Sequence, residues 1–85
     1  MSGPMLSITL ASPPPGAVNV QYGTSIEGPG GRWVPCATRV ANGHYCSSLF
    51  EVGPGKRQIC AVNDRFDTPE AALTSAISLA STAAG

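Results

Sequence analysis

The nineteen residues from Phe66 to Ala84 read FDTPEAALTSAISLASTAA, and they constrain the rest of the chain more than any other stretch. Thr68 is placed as an N-cap, Pro69 occupies the first helical position, where its missing N–H costs nothing, and Glu70 adds a negative charge to the first turn. Leu73, Ala76, Ile77 and Ala80 recur at three- and four-residue spacing, widened by Ala72, Leu79 and Ala83. Thr74, Ser75, Ser78 and Ser81 fall mostly opposite. This predicts a helix over residues 68–84 with one packing face, and a helix of that length needs a sheet or a second helix to pack against.

The preceding sequence supplies strands and turns. Met5 to Leu10 (MLSITL) reads as a strand, and Ser12 to Gly16 (SPPPG) ends it in a stiff elbow, because three prolines cannot donate to a ladder. Ala17 to Tyr22 (AVNVQY) alternates as a second strand, and Gly23 to Gly31 (GTSIEGPGG) is predicted as loop. Arg32 to Glu51 forms the clearest hairpin, with Asn42-Gly43 as a two-residue type I′ turn. That turn sets a register with Ala41 opposite His44 and Cys36 opposite Leu49. One face then carries Val34, Cys36, Thr38, Val40, Tyr45, Ser47 and Leu49. The other carries Trp33, Pro35, Ala37, Arg39, Ala41, His44, Cys46, Ser48, Phe50 and Val52. After Gly53-Pro54-Gly55, Lys56 to Val62 (KRQICAV) reads as a further strand. The expected fold is α+β: one domain with N-terminal strands and Pro/Gly-rich loops over 1–31, an antiparallel sheet over 32–65 and a C-terminal helix. The sheet has three to five short strands, and its core is drawn from Trp33 or Val34, Ile59 or Cys60, Phe66, Leu73, Ile77 and Ala80.

Eighty-five residues bury a modest core, and charged residues make up 12% of the chain with formal net charge zero, so the chain as a whole has no electrostatic address. Its cations are unevenly placed: Arg32, Arg39, Lys56, Arg57 and Arg65 all lie in the central stretch, beside only Glu51 and Asp64. No apolar run is long enough to span a bilayer and no basic, apolar leader opens the chain, which reads as cytoplasmic. Cys36, Cys46 and Cys60 are odd in number and form no C-x-x-C, as expected of free thiols in a reducing compartment.

Trp33 leading a strand, the Asn42-Gly43 turn, and Phe66, Thr68, Glu70 and Ala71 opening the helix together resemble small three-stranded-sheet-plus-helix domains. The AP2-like arm-binding domains of tyrosine integrases are an example. The match spans about 55 residues. It implies a sheet packed on one helix, and in integrases such a sheet enters the major groove.

The chemistry-bearing residues point away from catalysis. Cys36, His44, Cys46 and Cys60 could supply four zinc ligands, but the two-residue turn places Cys36 on the face opposite His44 and Cys46, so no metal or other cofactor is expected. Cys46 with His44 lacks an orienting carboxylate, and no phosphate-cradling glycine motif is present. The expected function is therefore that of a non-enzymatic binding module, of the accessory or inhibitor kind found in bacteria and phage. It would act through protein–protein contacts, with self-association into a homodimer as the first expectation and Trp33, Phe50, Val52 and Tyr45 as contact residues. The alternative is nucleic-acid binding through Arg32, Arg39, Lys56, Arg57 and Arg65.

Overall fold

The computed structural model describes residues 10–40, 43–53, 57–61 and 64–85. Among these described residues six strands and one helix follow in chain order: β1 Leu10–Ala11, β2 Val18–Tyr22, β3 Ile26–Gly28, β4 Gly31–Arg39, β5 Tyr45–Val52, β6 Gln58–Ala61 and α1 Pro69–Ala84. They form a single antiparallel sheet in the order β1-β6-β5-β4-β2, with β3 also pairing β4, and α1 lies on one face over β4 and β5. This is the α+β architecture read from the sequence, with β3 cut from a segment expected to be loop. The predicted strand Met5–Leu10 falls largely outside the described residues, as do Ala41, Asn42, Lys56 and Val62.

The helix begins as the sequence dictates. Thr68 is extended and its Oγ1 accepts the Ala71 N–H at 3.2 Å, with Pro69 next in the first turn. Phe66, predicted for the core, is half-buried and exchanges backbone hydrogen bonds of 2.9 and 3.0 Å with Tyr45, which fixes where the chain leaves the sheet for the helix. At the far end the Gly30 N–H donates to the Ala84 carbonyl at 2.7 Å, so the β3–β4 turn satisfies one of the helix's last acceptors.

The packing face of α1 differs from the predicted one. Ala72, Ala76, Ala80 and Ala84 are its buried residues, whereas Leu73 is half-buried and Ile77 remains 42% exposed. The cause is the close approach of helix and sheet. At Gly28 and Gly30 any Cβ would collide with the carbonyls of Ala84 and Ala83, so the last turn of the helix lies against the β3–β4 backbone and its inward positions there are alanines. Leu73 and Ile77 are displaced to its flank beside Gly23 and Pro35. Trp33 and Leu49 are the large apolar side chains buried under the helix, packed with Ala80, Ala84, Ile26, Ile59, Leu79 and Ala83.

The hairpin register also differs. Arg39 pairs with Tyr45, Thr38 with Cys46, Cys36 with Ser48 and Val34 with Phe50. Val40 pairs with His44 through a 2.9 Å hydrogen bond, so three residues separate the last pair rather than two, and Gly43 has positive φ, at 80°. One residue of shift transfers every β5 side chain to the other face. Trp33, Pro35, Ala37, Ser47 and Leu49 therefore share the helix side. Val34, Cys36, Thr38, Cys46, Ser48 and Phe50 share the helix-free side.

Candidate functional site

On the helix-free side the correct register brings all three cysteines onto neighbouring positions. Cys36 pairs with Ser48 and Ser48 with Cys60, while Cys46 stands two residues from Ser48 on the same strand. The expectation that Cys36 faces away from Cys46 is thus reversed. Cys36, Cys60, Thr38 and Ser48 are fully buried and Cys46 nearly so, although α1 is the only element among the described residues that packs on a face of the sheet.

Hydrogen bonds explain this burial. Thr38 Oγ1 and Ser48 Oγ are 2.7 Å apart, Ser48 Oγ and Cys60 Sγ 2.9 Å, and Thr38 Oγ1 donates to Asn19 Oδ1 at 2.9 Å. Gln58 Nε2 donates to the same Asn19 oxygen at 2.9 Å, and Asn19 Nδ2 returns a bond to Gln58 Oε1 at 3.4 Å. Asn19 lies on β2 and Gln58 on β6, with β4 and β5 between them. In a flat sheet three strand spacings of about 4.8 Å would hold them further apart than two amide side chains can span. The sheet is curled around its helix-free face, and the amide pair closes over the hydroxyls and thiols. Among the described residues no buried side-chain nitrogen or oxygen lacks a partner.

A bulge in β2 makes the closure possible. Asn19 pairs with Thr38 and Gln21 with Ala37, so Val20 is the extra residue, and Asn19 and Tyr22 reach the same face despite their odd spacing. Tyr22 then stacks on Phe50 of β5, ring centroids 5.8 Å apart, across the intervening β4. This pair lies at the rim with half-buried Val34. Tyr22 is 56% and Val52 43% exposed.

The thiols are electrostatically unequal. Cys60 is pulled down to about 7, first by the hydrogen bond that Cys46 donates and then by Ser48, against the opposing effect of burial. Cys46 is pushed up because it is the donor in that bond and because it is buried. Burial also raises Cys36, against its contact with Thr38.

The remaining candidate residues are dispersed. Trp33 lies under the helix, with Nε1 donating to the Gly30 carbonyl at 3.3 Å, and so is covered by the chain itself. Tyr45 is half-buried on the helix side, while Phe50 and Val52 stand at the opposite rim. Arg32 pairs with Glu27 at 3.2 Å and Arg57 with Glu51 at 3.0 Å, both exposed. Arg39 and Arg65 are exposed, and Lys56 lies outside the described residues. His44 is half-buried beside the turn. No group of three or more metal-ligating side chains is placed to hold an ion among the described residues. No helix among them is long and apolar enough to cross a membrane.

Tyr22, Asn19 and Gln58 had no place in the sequence-based site. Alternation in β2 would put Asn19 and Tyr22 on opposite faces, and only the bulge unites them. No protein-family model matches this chain, and no curated protein or solved structure matches it either.

Proposed function

We propose that this protein is a small, non-enzymatic, cytoplasmic binding module that works through protein–protein contact and associates with a second copy of itself. The observation that carries this reading is the apolar rim of the helix-free face, where exposed Tyr22 and Val52 flank Phe50 and Val34. An aromatic stack left open to water beside an exposed valine suits a contact surface. The charges around it favour a second copy over an oppositely charged partner. The rim is bordered by Arg32 with Glu27, a border that carries both signs, while Glu51, opposite Trp33, holds Arg57 on the helix side. A two-fold interface lays a surface on itself, and a mixed border meets its own copy without like-charge apposition. The same pairing weighs against the nucleic-acid alternative, since Arg32 and Arg57 already have carboxylate partners.

Light scattering after size exclusion, over a concentration series, tests the proposal. A dimer is expected for the parent chain and a monomer for Val52→Asp and Tyr22→Ser, with unchanged far-ultraviolet circular dichroism. A monomer at every concentration would overturn self-association. Retention on duplex or single-stranded DNA that weakens steeply with salt would favour the alternative.

A further inference from the structure

We propose that Cys46 and Cys60 form a redox site in which a small peroxide converts the two thiols to a disulfide across β5 and β6, with Cys36 remaining a free thiol. The geometry begins with the register. Cys60 pairs with Ser48, so Cys46 lies diagonally from it, displaced by two residues along the strands. Thr38 and Ser48 are related by the same diagonal across β4 and β5, and there the curl of the sheet brings the side-chain oxygens to 2.7 Å. A diagonal pair in a flat sheet is about 7–8 Å apart at Cα, beyond the reach of a disulfide without backbone movement, and curling along this diagonal shortens it. Cys36 shares the face, but Ser48 lies between it and Cys60, and its sulfur is engaged with Thr38 and the Ala37 carbonyl.

The two sulfurs are also chemically differentiated. Ser48 Oγ lies 2.9 Å from Cys60 Sγ, the Cys60 thiol is held below its ordinary range by its contact with Cys46, and Cys46 keeps its proton. Cys60 is therefore the attacking sulfur and Cys46 the resolving one. The Cys60 thiolate attacks one oxygen of hydrogen peroxide, forming an S–O bond as the O–O bond breaks. Hydroxide leaves and takes a proton to become water, with sulfur oxidised to the sulfenic acid. The Cys46 sulfur then attacks Cys60 and gives up its proton; the S–S bond forms, the S–O bond breaks and a second water leaves. Two thiols and one peroxide give one disulfide and two waters. Access comes through the β1–β6 edge, where among the described residues Leu10 pairs with Ala61 and Ala11 with Cys60, and local opening of that edge admits a molecule little larger than water.

The test is titration of the reduced full-length chain with hydrogen peroxide, followed by thiol alkylation in denaturant and mass spectrometry. A loss of two hydrogens, a Cys46–Cys60 cross-linked peptide and an alkylated Cys36 are expected, all reversed by dithiothreitol. Cys36→Ser should form the same bridge, and Cys46→Ser should instead accumulate oxygen adducts on Cys60. Cys46→Ala serves if the serine variant does not fold. A bridge that includes Cys36, or three thiols that stay reduced until the fold is denatured, would overturn the proposal.

Discussion

Asn19 and Gln58 exchange two hydrogen bonds, of 2.9 and 3.4 Å, although they lie 39 positions apart and two strands stand between them. The pair is the clasp that holds the sheet in its curl, and it seals Thr38, Ser48 and Cys60 from water. Replacing either amide by alanine removes the partner of buried polar atoms and loosens the curl. Each single variant should lose about 1–3 kcal/mol in urea unfolding. The double variant should lose less than the sum of the two, because the second change removes a group already orphaned. Additive losses would mean that the two side chains do not act as a pair.

Helix packing gives a prediction opposite to the one hydrophobicity suggests. Ile77→Ala should cost less than about 1 kcal/mol, because the side chain is 42% exposed. Ala76→Leu should cost about 1–3 kcal/mol or more, since Ala76 is fully buried. Thermal unfolding of the two variants side by side would decide the order.

Gly30 is held by backbone on both sides of the contact. A Cβ there would strike the Ala83 carbonyl, which cannot rotate away as a side chain would, and the 2.7 Å bond from Gly30 N–H to Ala84 would be lost with it. Gly30→Ala should release the last turn of α1, costing about 1–3 kcal/mol. Faster amide exchange at Gly85, whose N–H bonds to Ser81, would report the loosening locally.

The thiols set a stability maximum in mildly alkaline solution under reducing conditions. Cys60 titrates near 7 in the folded chain and near the ordinary 9.0 when unfolded, so between those values the unfolded state holds more protons and stability rises with pH. Above 9 the unfolded chain also ionises Cys36 and Cys46, whose folded forms hold their protons more tightly, and stability falls. Urea unfolding between pH 6 and pH 10 (~half-unit steps) should show this maximum. Cys60→Ser should abolish the rising limb.

The C-terminal helix was legible because its signals are local: a threonine cap, a proline at the first position and apolar residues at helical spacing act within a few residues of one another. The strands β2, β4, β5 and β6 were legible for the same reason, and so was the α+β class. The faces were not, because the hairpin register rests on whether His44 pairs with Ala41 across two residues or with Val40 across three. Asn42-Gly43 serves a shorter turn as readily as a longer one with Gly43 at its end. That single residue decided that Trp33 belongs with Leu49 under the helix and that three cysteines share one face. The inward stripe of the helix was decided by the distance between helix and sheet, which Gly28 and Gly30 set from a different part of the chain. Asn19, Gln58 and Tyr22 become a site only through a bulge and a curl. Both are cooperative properties of the whole sheet, and neither is written in the residues they bring together.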